Sequence, residues 1–112
     1  MAKYMQQLEG NFDLLLKVLE DAALSSASAS FEEGSDWQEG DTRVAVRVYE
    51  RYSMIGSNRV SLSITLIGKG RGLYVTAITS GGSQAVFFKV NRFGEEAYLD
   101  IIESAVEAAR RP

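Results

Sequence analysis

The sequence predicts an α+β fold: an antiparallel β-sheet, a meander of four strands plus one or two N-terminal strands, with an N-terminal helix and a long C-terminal helix on one face. Three observations carry this. Between residues 42 and 90, apolar side chains recur at alternate positions in four runs, the period of half-buried strands. Glycine-containing pairs separate later runs, where two-residue hairpin turns need them. Residues 11–24 and 92–110 carry apolar stripes at helical spacing. With 112 residues, 46% hydrophobic and 24% charged, the chain suffices for one core and reads as a single domain, 1–112.

Residues 3–9 alternate weakly and form a possible strand. From Asn11 to Leu24, a helix face collects Phe12, Leu15, Leu16, Leu19, Ala22 and Ala23, with Asn11 placed to cap it and Asp13 in its first turn. Ser25 to Phe31 reads as a strand with Ala27, Ala29 and Phe31 inward. Glu33 to Asp41, rich in glycine and acids around Trp37, reads as a loop.

The four runs follow: Val44, Val46, Val48; Val60, Leu62, Ile64, Leu66; Leu73, Val75, Ala77; and Val86, Phe88, Val90. A loop at Lys69-Gly70 pairs Leu66 with Leu73 and Ile64 with Val75, and one at Gly81-Gly82 pairs Ala77 with Val86. Both registers keep the apolar sets on one face, which a one-residue slip would separate. The hairpin around Ile55-Gly56-Ser57-Asn58 needs an odd loop, of three or five residues, to do the same. The last helix runs from about Arg92 to Arg110 behind an Asn91 cap, its stripe formed by Phe93, Ala97, Ile101, Ile102, Ala105 and Ala109. This order is helix-grip-like, an analogy of topology that carries no function.

The chain has no cysteine and no histidine, which excludes disulfides, thiolate and imidazole chemistry, and the Ser-His-Asp and Cys-His arrangements. No catalytic residue, metal site or cofactor is expected, and the protein is not read as an enzyme. Gly68-Lys69-Gly70-Arg71-Gly72 lacks the spacing of a dinucleotide fingerprint and the Ser or Thr of a P-loop, and reads as a turn. The acidic stretch from Glu32 to Asp41 lacks the ligand spacing of an EF-hand. The start of the sequence has no apolar signal segment, and no apolar run approaches the roughly 20 residues of a membrane span, so the expectation is a cytoplasmic protein with no membrane contact.

Charge is unevenly spread. Residues 1–42 hold two basic and nine acidic side chains, residues 43–92 eight and one, and residues 93–112 two and five. Acidic helices lying against a basic sheet would balance this internally; a basic face for an anionic partner is the other reading.

Two surfaces are candidates. Alternation places Glu50 in line with Val44, Val46 and Val48 on the apolar face, near the small Ala77, where a carboxylate is costly unless paired. One reading is a cavity between sheet and C-terminal helix, with Glu50 and Tyr52 anchoring a small apolar ligand. The other is that Glu50 lies at the sheet rim, or that a bulge near Tyr49 turns it to solvent. The opposite face collects Arg43, Arg47, Tyr49 and Arg51 with Ser61, Ser63, Thr65, Tyr74, Thr76, Ile78, Phe87 and Lys89, and with a three-residue first hairpin turn Tyr49, Ser63, Thr76 and Phe87 form one row. Arginine and aromatic residues on an open sheet suit a protein interface. They suit single-stranded nucleic acid or another anion less well, given the net acidity and the lack of an RNP-like motif. The first expectation is therefore a non-enzymatic binding or interaction domain that forms a homodimer through this face, with the ligand cavity and the anion-binding face as alternatives.

Several stretches are distinctive together: Arg43-Val44-Ala45-Val46-Arg47-Val48-Tyr49-Glu50-Arg51-Tyr52, Asn58-Arg59-Val60-Ser61-Leu62, the run from Ala77 to Lys89, and Phe93-Gly94-Glu95-Glu96. On them the chain resembles, over nearly its whole length, a family of small bacterial proteins classified as domain of unknown function 6054. The resemblance implies a bacterial cytoplasmic protein and brings no activity, cofactor or site residue with it.

Overall fold

The computed structural model describes residues 1–52, 59–81 and 88–110. Its elements are β1 (Ala2–Glu9), α1 (Phe12–Ala23), β2 (Ser30–Glu39), β3 (Thr42–Tyr52), β4 (Arg59–Lys69), β5 (Gly72–Gly81) and α2 (Phe88–Arg110). The strands form one open antiparallel sheet in the order β1-β5-β4-β3-β2. The chain starts at one edge, crosses through α1 to the other, and returns as a four-strand meander. Both helices cover the same face: α1 lies on β3 and β4, α2 on β1, β5 and β4, and the helices pack on each other.

Asn11 caps α1, its side-chain oxygen accepting the Leu14 N–H at 2.9 Å. Leu15, Leu19 and Ala23 recur every fourth residue and are buried. They meet Leu62, Ile64, Leu66, Leu73, Val75 and Ala77 of the central strands, and Tyr98, Leu99, Ile102 and Val106 of α2. The Tyr98 hydroxyl crosses the helix pair and donates to the carbonyl of Ala23, at the last turn of α1, at 2.9 Å. The inward stripe of α2 is therefore rotated from the expected one: Phe93 is 62% exposed and Ala97 and Ala109 also face solvent. Tyr98 and Val106 outweigh the alanines because they bury more apolar area.

Four further expectations are corrected. The strand expected from Ser25 begins only at Ser30, and the expected acidic loop is the body of β2. Neither helix packs on this edge strand, so almost every residue in it is exposed and no apolar alternation marks it. Its turn is Gly40-Asp41, with Gly40 in the left-handed region at φ 58°.

The β4–β5 turn is Gly70-Arg71, one position later than expected, because Gly70 adopts φ 58° as the first loop residue. That slides the register by two, pairing Leu66 with Val75 and Ile64 with Ala77, and two residues of slip leave every side chain on its expected face.

The run Val86, Phe88, Val90 is not a fourth strand of the meander. α2 starts at Phe88, so Asn91 lies inside it; Val86 and the second half of the Gly81-Gly82 turn lie outside the described residues. β1 takes that edge of β5 instead, with Tyr4 opposite Ala77 and Leu8 opposite Leu73.

The fourth correction turns β3 over. Tyr52 pairs with Arg59 across residues 53–58, an even number, whereas matched apolar faces required an odd one. The Ile55–Asn58 turn itself lies outside the described residues. Ala45 and Tyr49 are consequently the buried members of β3, and Val44, Val46 and Val48 point to the bare face.

Burial raises the hydroxyls of Tyr49 and Tyr98 to about 12; burial and a hydrogen bond to Glu107 do the same for Tyr4. An unfolded tyrosine ionises near pH 10. Folding thus favours the protonated forms, and their contribution is complete below pH ~10 and disappears as pH rises through ~12. Urea midpoints measured against pH will fall across that window. Tyr98→Phe, which also loses about 1 kcal/mol with its hydrogen bond, will show a shallower fall.

Candidate functional site

The arginines expected on the open face lie beneath the helices. Arg43, Arg47 and Arg51 share the face of Ala45 and Tyr49, opposite Gly68, Ile64 and Val60 of β4. Arg43 pairs with Asp13 at 3.0 Å, and its guanidinium lies 4.1 Å from the centroid of the Phe12 ring. The Arg47 side chain, only 13% exposed, meets Glu20 at 3.0 Å and Asp36 at 2.9 Å. It also donates to the Ser35 and Val46 carbonyls. Arg51 lies 4.4 Å from the Tyr98 ring centroid and donates to the Ser26 hydroxyl.

Burial alone would lower Arg47, but hydrogen bonds to Asp36 and Glu20 reverse its effect and hold the group above its usual value. Burial lowers Arg51. These long side chains lay their stems along the core and turn their charges to helix and strand acids, so a β3 face that alternates with valine is still the buried one. The basic middle of the sequence meets the acidic N-terminal part through these contacts.

Glu50, Tyr52 and Ala77 do not converge. Ala77 is fully buried under the helices, while Glu50 and Tyr52 belong to the bare face. Strand parity, rather than a bulge at Tyr49, puts Glu50 there. Its carboxylate pairs with Arg59 and accepts from the Ser61 hydroxyl, and Arg59 also lies over the Tyr52 ring. Phe87 lies outside the described residues, and Lys89 falls in α2. The expected row of Tyr49, Ser63, Thr76 and Phe87 does not form: Ser63 lies between Val48 and Ile78, and Thr76 between Thr65 and Met5.

The bare face is the feature that the sequence partly concealed. Successive registers build three rows across all five strands. The first runs Trp37, Val44, Ile67, Tyr74, Gln7; the second Ser35, Val46, Thr65, Thr76, Met5; the third Glu33, Val48, Ser63, Ile78, Lys3. Trp37 is 74% exposed and Met5 61%, and Ile67, Tyr74 and Ile78 are also open to solvent. Charge is confined to the outer strands in these rows. Ser63, Thr65, Tyr74, Thr76 and Ile78 stand on the expected face; the three valines were missed because an odd β3–β4 loop was expected, and Trp37 because reading Glu33–Asp41 as a loop removed the strand that carries it. The signal for that strand was Gly40-Asp41, a hairpin turn pair just before the first valine run.

A cleft of about 550 Å³ opens between α1 and β2, with Arg47 and Tyr49 at its floor and Leu24 and Phe31 among its walls. Gly34 makes room there: a Cβ at this position would lie 2.9 Å from the Val46 carbonyl oxygen and 3.2 Å from the Arg47 Cδ. Among the described residues no acidic cluster is arranged to hold a metal ion, and no helix is long and apolar enough to cross a membrane.

A five-stranded antiparallel sheet with helices on one side and, on the other, a partly apolar face that no described element covers defines an open-faced, two-layer α+β protein. The chain belongs to the family of unknown function DUF6054, whose model matches residues 1–110. A search of curated proteins gives no match.

Arg47→Ala will leave Glu20 and Asp36 without their shared cation and open a gap beside Tyr49. We expect a loss of about 2 kcal/mol in a urea titration, below the figure for a fully buried pair because both acids reach solvent.

Proposed function

We propose that this protein is a non-enzymatic interaction domain that works through the bare face of its sheet and forms a homodimer there. The observation that carries the reading is the row Trp37, Val44, Ile67, Tyr74, an uncharged band of aromatic and branched side chains crossing four strands. With Met5, Val46 and Ile78 beside it, the band has the composition of an interface core: aromatic and methionine side chains inside, charge at the margin. Exposed apolar patches of this kind mark association surfaces in soluble proteins. The arginines that suggested a nucleic-acid or anion face are engaged under the helices, so they do not support that alternative.

The small-ligand reading has one favourable observation, in a different place from the cavity first expected. The cleft between α1 and β2 is large enough for a small molecule and offers Phe31 and Leu24 as apolar walls. Its floor cation is already neutralised by Glu20 and Asp36, which favours an uncharged occupant over an anion.

Trp37 is the chain's single tryptophan, so its emission reports on the proposed surface alone. Concentrating the protein will shift that emission to the blue, in step with a rise in sedimentation mass from monomer to dimer. Val46→Lys places a charge in the middle of the face and will hold the protein monomeric with unchanged circular dichroism. A wild-type chain that stays monomeric, with constant emission up to several hundred micromolar, would remove the homodimer reading. Reproducible retention of a small molecule by that monomer, lost in Phe31→Asp, would support the cleft instead.

A further inference from the structure

Resting on the homodimer reading, we propose that the two copies stack sheet on sheet about a two-fold axis running along β4, so that Lys3 of each copy pairs with Glu33 of the partner subunit. The bare face is polarised from edge to edge. Glu33 lies on β2 at one end of the row that contains Val48, Ser63 and Ile78, and Lys3 lies on β1 at the other end. Both charged side chains are exposed. β4 is the middle strand of the five, so it divides the face into two equal halves.

Face-to-face sheets related by a two-fold axis have two simple aligned arrangements. An axis across the strands lays each strand over its own copy, reversed end for end: placed on this row it sets Lys3 on Lys3 and Glu33 on Glu33, placed on the neighbouring row it sets Lys3 on Gln7 and Glu33 on Trp37, and no placement brings Lys3 to Glu33. An axis along β4 lays β1 over β2. The row then reads against its own reverse: Glu33 meets Lys3, Val48 meets Ile78, and Ser63 meets Ser63. In the neighbouring row the same operation sets the Trp37 indole against the Gln7 amide, a donor against an acceptor. Isologous contacts require this kind of self-complementarity.

The rotation of roughly 30° usual between aligned sheets displaces the edges by less than one row, within reach of a lysine side chain. Five strands about 4.8 Å apart and ten residues long give a footprint of roughly 800 Å², the size of one side of a standard protein interface. Of the two arrangements only the axis along β4 brings the opposite edge charges together, so they select orientation, while the apolar centre supplies affinity.

The test is a charge exchange, read by sedimentation equilibrium on the full chain at low salt. Lys3→Glu and Glu33→Lys each turn two attractive contacts per dimer into repulsive ones, and each is expected to weaken association roughly tenfold. The double variant K3E/E33K restores both pairs in reverse and is expected to return to wild-type affinity. Both positions are exposed, and circular dichroism will confirm that the variants keep the fold. A dimer indifferent to either single change, or a double variant as weak as the singles, overturns the axis along β4 and leaves the homodimer standing. A wild-type chain that does not associate overturns both.

Discussion

Charge neutralisation beneath the helices holds the molecule together in a way that apolar packing alone would not. β3 presents three arginines to the covered face, and each needs a partner before that face can close. Asp13 and Glu20 on α1 answer Arg43 and Arg47, while Ser26 and the Tyr98 ring receive Arg51. These contacts set which side of β3 points inward and hold α1 over β3. Through the Tyr98 hydroxyl bonded to Ala23, they also bear on the docking of α2 against α1. With the arginines turned in, the three valines between them must turn out, so the apolar character of the bare face is a consequence of how the covered face is neutralised.

The two edges of the sheet are built differently. β1 is tied down by α2: Tyr4 and Gln6 donate to Glu107, and the amino group of Met1 lies 3.1 Å from the buried carboxylate of Glu95. Glu95 also accepts the Gly81 N–H, joining the end of β5 to the same helix. The Tyr4 hydrogen bond is the leading reason that Glu107 keeps its charge to lower pH than an ordinary glutamate. β2 has no such cover, and is marked by four acidic residues and an irregularity in register between Phe31 and Glu33. Both features discourage strand addition by another chain at that edge.

Much of this architecture was legible. Leu62, Ile64 and Leu66 alternate with serine and threonine, so their burial followed from period alone, and Asn11 announced the start of α1. What stayed hidden has a common cause: the decisive partners were distant in sequence. Nothing local distinguishes Val46 from Arg47 as the inward residue of β3, because Glu20 and Asp36 reverse the ordinary preference from two other elements. Phe88 and Val90 match a strand and a helix equally well over so short a run, and only β1 on the far side of β5 settles the matter. The candidate site suffered from the same inversion. Its location on the outer sheet face was readable, as were Tyr74 and Ile78, whereas the β3 residues assigned to it belonged to the other side.

β2 contacts the rest of the sheet through one neighbour, and among the described residues neither helix packs extensively on it. Opening such a strand exposes little apolar area, so its backbone amides will exchange through local fraying well below the free energy of global unfolding. Trp37 and Glu33 both sit on it. Any partner seated on the bare face must therefore also immobilise its least anchored strand, and part of the binding free energy is spent as ordering entropy. The stability of β2 and occupancy of the face then become two readings of one equilibrium: stiffening the strand tightens association, and association slows its fraying.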